Sequence, residues 1–172
     1  MHKLMPCLWF DRHAEEAAKF YASVFKNSRV VSVTHYGDAG AAASGQPKGT
    51  VMTVVFELEG QVFMALNGGP HFTFSPAISL IVSCKTQKEL DGIWKKLSAD
   101  PASEQCGWLK DKYGVSWQIV PSVLQEMIQD KDPARAERVM AALLRMKKLD
   151  IKTLQQAYGP SGASSKRPLV RK

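Results

Sequence analysis

Apolar positions in this chain switch between two rhythms. Residues 4–10, LMPCLWF, form an apolar run of strand length, with Pro6 limiting its early pairing to an edge or a bulge. From Arg12 to Phe25 the spacing becomes three and four, through Ala14, Ala17, Ala18, Tyr21, Val24 and Phe25. Glu15 and Glu16 lie toward the positive end of the helix dipole, which predicts an amphipathic helix with Asp11 as its N-cap. Residues 28–37, SRVVSVTHYG, are β-branched and read as a strand. Residues 38–49 are small, polar and broken by Gly40, Gly45, Pro47 and Gly49, and are expected to be a flexible loop of the kind that can cover a cleft. Residues 50–58 and 61–67 flank Glu59-Gly60 and predict a hairpin.

After FMALNGGPHF, residues 63–72, the pattern starts again. Residues 77–84 read as a buried strand. Residues 86–99 read as a helix with Thr86 as N-cap and Glu89 as its capping-box partner. Three short extended pieces follow, at 103–105, 107–111 and 116–120, the last two paired around Tyr113-Gly114. An offset of 73 carries Asp11 onto Cys84 and Tyr21 onto Trp94, so strand falls on strand and helix on helix. Both halves read βαβββ, over about residues 4–67 and 77–120, and are expected to form one α+β domain across residues 1–122, because either half alone leaves one face of its sheet bare. A helical extension covers residues 123–158: a short helix after Pro121, then one opened by Asp132-Pro133, with Val139, Met140, Leu143, Leu144 and Met146 as its apolar face, and one capped by Asp150 and closed by Gly159. Residues 159–172 form a basic tail predicted to be disordered.

Composition excludes several classes. Of 172 residues, 45% are hydrophobic and 23% charged, as in ordinary globular proteins. The longest apolar runs fall well short of the ~20 residues a bilayer helix needs, and the start is not a secretory signal, so a cytoplasmic protein without a membrane partner is expected. Cys7, Cys84 and Cys106 form no CxxC pair and are expected to be reduced, mostly buried thiols. The net charge of +7 is concentrated at one end: residues 131–172 hold 11 Lys and Arg against 3 Asp and Glu, the remainder 12 against 13. That distribution describes a solvated helix face and tail, with docking to a partner as the alternative, and nucleic acid is not an expected ligand.

The candidate chemistry gathers around the strand that ends in NGGPHF. Asn67 can donate and accept, Gly68 and Gly69 allow close approach of backbone N–H groups, and His71 supplies the imidazole there, the candidate for a proton shift. Trp9, Trp108 and Trp117 offer flat apolar walls and Gln118 an amide, the composition of a small-molecule site. A nucleotide cradle is not legible: Asn67-Gly68-Gly69-Pro70 follows a strand, but Pro70 and HFTF do not open a helix, so no cofactor is expected.

The stretches PCLWFD, AEEAAKFY, FMALNGGPHF, CGWLKDKYGVSWQIVP and ARAERVMAALLRMKKLDI resemble the PhnB-like branch, labelled 3-demethylubiquinone-9 3-methyltransferase-like, of the vicinal oxygen chelate superfamily of glyoxalases and fosfomycin and bleomycin resistance proteins. The resemblance spans about residues 4 to 158. It implies a curved eight-stranded sheet forming a cup, completed in a homodimer, with the small-molecule site inside. Metal-using members take ligands from the first and last strands of each module. Those positions fall here near Leu4 to Pro6, near Ala65, between Pro76 and Ser79, and at Gln118, which supply no metal triad; His2, His35 and His71 are scattered. The implied function is binding of a small aromatic or amphipathic molecule in a metal-free cup. The alternative is a metal-dependent lyase, isomerase or dioxygenase with an atypical ligand set; methyltransferase activity is not expected.

Overall fold

The structure, a computed structural model, describes residues 4–159. Along the chain run β1 (Cys7–Phe10), α1 (Ala14–Val24), β2 (Ser28–His35), α2 (Asp38–Ser44), β3 (Val51–Leu58), β4 (Gln61–Asn67), β5 (Ser79–Cys84), α3 (Gln87–Leu97), β6 (Trp108–Lys110), β7 (Ser116–Pro121), α4 (Leu124–Ile128), α5 (Pro133–Leu143) and α6 (Ile151–Tyr158). They fall into two compact units, one running to Ser79 and including Asp111–Ser116, the other made of Leu80–Lys110 and the chain from Trp117 onward.

The first unit is a four-stranded sheet of order β1-β4-β3-β2, with β1 parallel to β4 and the other pairs antiparallel. Strand alternation sorts its side chains into two faces. Leu8, Ala65 and Val54 stand in register on one face with Phe56 and Phe63, all buried, and α1 lies over them through Ala14, Ala17, Ala18, Tyr21 and Val24. The alanines let the helix backbone approach the sheet. The Phe56 and Phe63 rings stack with centroids 5.4 Å apart. The Tyr21 hydroxyl donates to Asp111 Oδ2 at 2.8 Å, and Asp111 Oδ1 accepts from the backbone of Tyr113 and Val115, so this buried carboxylate is satisfied within the fold.

Two expectations are corrected in this unit. Asp11 does not cap α1. The helix begins at Ala14, whose N–H donates to Asn67 Oδ1 at 2.8 Å, so the cap comes from the end of β4, while Asp11 pairs with its neighbour Arg12 at 3.3 Å. Residues 38–49 are not a flexible loop: α2 occupies Asp38–Ser44, because Ala41, Ala42 and Ala43 are strong helix formers and Gly45, at φ +72°, supplies the left-handed residue that ends it. The ends of the segment are tied by Tyr36 N–H to Thr50 O (2.9 Å) and Gly49 N–H to Tyr36 O (2.8 Å).

The second unit repeats the plan with one strand fewer. The offset of 73 carries Ala14–Val24 onto Gln87–Leu97, and Leu90, Trp94 and Leu97 are the buried residues of α3. The Thr86 cap forms as predicted, accepting from Glu89 N–H at 3.2 Å, while Glu89 reaches back to Lys85 N–H at 2.8 Å. The sheet has the order β5-β7-β6, so the described residues form sheets of four and three strands where eight strands in one sheet were expected. Where the offset would place the counterpart of β2, Pro101–Ser103 form a turn of 3-10 helix opened by Asp100, whose carboxylate accepts from Ala102 N–H at 3.1 Å. Proline removes a ladder donor there, and the remaining pairing is an isolated bridge between Gln105 and Trp108.

The C-terminal helices follow the predicted caps, with Asp132 accepting from Ala134 N–H at 3.0 Å and Asp150 from Thr153 N–H at 2.6 Å. Val139, Leu149 and Leu154 are buried, whereas Leu144, assigned from sequence to the apolar face, is 57% exposed. Some of the basic excess has local work: Arg135 lies 3.6 Å over the Tyr158 ring, and Arg138 donates to the carbonyls of Ala157 and Tyr158 at the negative end of α6. Tyr158 donates to Asp130. Most of the predicted disordered tail, residues 160–172, lies outside the described residues, as does His2. Among the described residues, no helix is long and apolar enough to cross a membrane.

Candidate functional site

The face of the first sheet opposite α1 carries a different set of side chains, and register orders them into rows. Cys7, Met64, Val55 and Ser32 form one row across β1, β4, β3 and β2; Trp9, Leu66, Thr53 and Thr34 form the next. A third row runs Val62, Glu57, Arg29. The residues on β3 and β4 are half-buried, and α1 packs on the opposite face of the sheet. Apolar groups occupy β1, β4 and the middle of β3, at Val55, while hydroxyls and an ion pair lie toward β2. Arg29 meets Glu57 at 3.1 Å, and the Thr34 and Thr53 hydroxyl oxygens are 2.6 Å apart.

Trp9 is held in place by the turn after β4. Its indole Nε1 donates to Gly69 O at 2.9 Å, leaving no donor free, and Phe72 stands edge-on to it with centroids 5.0 Å apart and planes at 80°. Gly68 makes this possible, since a Cβ there would fall 2.1 Å from Trp9 Cζ2. Gly69, at φ +86°, then turns the chain away. Asn67 is buried and bonded inside the fold: Oδ1 to Ala14 N–H, Nδ2 to Val51 O at 3.0 Å, with its own carbonyl accepting from Tyr36 at 2.5 Å. His71 is exposed in the turn, alongside Gly69.

Asn67 and Pro70 also contribute to a cleft of about 720 Å³ at the start of α1, with Asp11, Glu15, Glu16 and His35 among its other walls. Its carboxylates already have cations, Asp11 with Arg12, Glu15 with Lys19 at 2.7 Å and Glu16 with Lys112 at 3.0 Å. The Tyr113 hydroxyl and the Lys112 ammonium hold the Glu16 carboxyl below the usual carboxylate range.

The structure thus brings Trp9, Gly69 and His71 to one turn and places Asn67 at its base. Trp108, Trp117 and Gln118 belong to the second unit. Trp117 is buried with Ile119, and Gln118, its neighbour in β7, leaves the strand on the opposite face with Val120. Ser32, Thr34, Thr53, Val55, Met64 and Leu66 escaped the sequence reading. The alternation in VMTVVFEL and QVFMALN signals two faces, but their alignment across strands depends on register. Of the three thiols, Cys84 is buried and its pKa pushed up to about 12 by burial, with the Glu89 charge adding; Cys7 is exposed on β1, against expectation.

At the positions where metal-using relatives place ligands, the chain has Ala65, fully buried between Leu8 and Val54, and the neutral Gln118. Among the described residues no group of three or more His, Cys, Asp or Glu converges. This donor set does not fit a divalent centre of that kind.

A family profile described as 3-demethylubiquinone-9 3-methyltransferase matches residues 2–120. A putative 3-demethylubiquinone-9 3-methyltransferase, PhnB protein, from Bacillus cereus is 39% identical, over 70% of this chain and 99% of its own, with a TM-score of 0.58. A Pseudomonas aeruginosa protein, 17% identical over 70% of this chain and 98% of its own, shares the fold with a TM-score of 0.52. A glyoxylase/bleomycin resistance protein/dioxygenase domain from Frankia sp. EAN1pec matches at 14% identity over 70% of this chain and 92% of its own, with a TM-score of 0.45. No curated protein matches. The chain belongs to the 3-demethylubiquinone-9 3-methyltransferase family, together with the PhnB protein it is similar to.

Proposed function

We propose that this protein binds a small aromatic or amphipathic molecule on the face of its first sheet opposite α1, without a metal ion, and acts in the cytoplasm as a homodimer. The observation that carries the reading is that face itself, a half-buried apolar floor of Met64, Leu66 and Val55 beside an indole fixed by Gly69. An apolar lining with a few convergent polar groups is what a small-molecule site requires. The methyltransferase description of the family has no matching cradle for a nucleoside cofactor: the chain after β4 turns on Gly68, Gly69 and Pro70, and the next helix begins at Gln87. In this reading Trp9 and Gly69 shape the pocket, Asn67 holds its base, and His71 is the group available for a proton shift, while Trp108, Trp117 and Gln118 stay with the second module.

Titration with the neutral fluorophore N-phenyl-α-naphthylamine tests the reading. Saturable binding at one site per chain is expected. Met64→Ala should weaken it and Leu66→Asp should abolish it with an unchanged circular dichroism spectrum, whereas Val31→Asp, at an exposed bulge of β2, should not affect it. Unsaturable binding, or binding indifferent to both floor substitutions, would refute the proposal. A monomeric mass by light scattering would remove the homodimer from it.

A further inference from the structure

Resting on the binding reading just given, we infer that the ligand class is an uncharged, flat aromatic molecule with a hydrogen-bond acceptor about two strand spacings from its ring, and that Thr34 and Thr53 are the residues that select it. Four features of the face lead there. First, the aromatic end is defined: Trp9 and Phe72 stand nearly perpendicular, and Phe72 is 67% exposed, so together they form a corner in which a ring stacks on one and meets the edge of the other. Because Nε1 of Trp9 is spent on Gly69 O, that end offers surface and no donor. Second, Trp9, Leu66, Thr53 and Thr34 lie in one register row, so the path from indole to hydroxyls crosses a single apolar residue over ~10 Å.

Third, the two hydroxyls share one hydrogen bond, 2.6 Å long. Two hydroxyls carry two hydrogens, and their mutual bond uses one. The pair therefore keeps one O–H to donate, together with spare lone pairs, and a ligand carbonyl, ether or amide oxygen satisfies it. Fourth, among the described residues of the face the ionised groups are Arg29 and Glu57, which pair with each other at 3.1 Å. Thr34 is exposed and Thr53 half-buried, so a carboxylate or ammonium brought against Thr53 would lose part of its hydration without gaining a counter-ion, whereas a neutral polar group loses less.

Four matched naphthalene probes test this on the intact protein by isothermal titration: naphthylvaleramide, naphthylvalerate, naphthylpentylamine and the hydrocarbon pentylnaphthalene. The amide is expected to bind at least about tenfold more tightly than either charged analogue. Thr34→Val/Thr53→Val should erase most of the amide's advantage over the hydrocarbon while leaving hydrocarbon affinity within about twofold, and Thr34→Ser/Thr53→Ser, which keeps both hydroxyls, should restore it. Trp9→Phe should weaken all four probes. If the amide binds equally well to the double-valine protein, or if the valerate or amine binds most tightly, the ligand class is wrong although the face still binds ligands. If no probe binds the wild-type protein, this inference and the binding reading fail together.

Discussion

Replacing Asn67 with Ala should damage the fold more than any local cap residue of α1 does. The side chain bridges two elements, accepting from Ala14 N–H at 2.8 Å and donating to Val51 O at 3.0 Å, in a residue that is 6% exposed. Loss of an N-cap costs about 1 kcal/mol, and leaving the Val51 carbonyl without its donor costs about 1 kcal/mol more, with the void adding a little, so about 2–3 kcal/mol in all. At ~2–4 °C per kcal/mol for a domain of this size, the melting temperature should fall by roughly 4–12 °C. His13 stands at the N-cap position with no side-chain cap bond, and Asp11 is partly exposed and paired with Arg12. His13→Ala and Asp11→Ala should each cost under about 0.5–1 kcal/mol. Differential scanning calorimetry of the three variants checks the ordering. If Asp11→Ala proved as damaging as Asn67→Ala, the helix would be capped locally and the long-range account would be wrong.

Gly68→Ala should displace the Trp9 ring by more than about 1 Å, since the new Cβ would fall 2.1 Å from Cζ2. A loss of about 1–3 kcal/mol is expected, with a shifted tryptophan emission and weakened N-phenyl-α-naphthylamine binding; an unperturbed emission spectrum would count against the fixed indole. Cys84, with its thiol pushed up to about 12, should be the last cysteine to react with a disulfide reagent at mildly alkaline pH, after exposed Cys7; labelling of Cys84 before Cys7 would contradict its burial. Glu16 should titrate below the ordinary carboxylate range by NMR because Tyr113 and Lys112 favour its charged form. A carboxyl depressed on folding stabilises the protein above its unfolded pKa and loses that contribution as pH falls through its folded pKa, so Glu16→Gln should matter at neutral pH and not in strong acid; an effect that persisted there would point to a steric cause.

Local signals were legible in the sequence and long-range ones were not. Thr86, Asp132 and Asp150 cap as predicted because an N-cap bonds within three residues of itself, and the repeat of α1 in α3 follows from spacing alone. Asp11 misled because the cap of α1 arrives from Asn67, 53 positions away. The eighth strand failed where Pro101 and the Asp100 cap favour a turn over extension. The glycines and proline among residues 38–49 suggested a loop, yet three consecutive alanines outweigh a single interior glycine, Gly40, in α2. For the site, Trp9 and the glycine turn could be read from residue type. The rows that join Trp9 to Thr53 and Thr34 could not, because a shift of one residue would send those hydroxyls to the other face, and register is set by pairing that no single strand encodes.

The most direct test of the binding face is an NMR measurement of intermolecular nuclear Overhauser effects between bound N-phenyl-α-naphthylamine and methyl-labelled protein. Contacts to the methyl groups of Met64, Leu66 and Val55, together with a shift of the Trp9 indole N–H resonance, are predicted. Contacts confined to methyl groups elsewhere, with those three residues and Trp9 unmoved, would contradict the account.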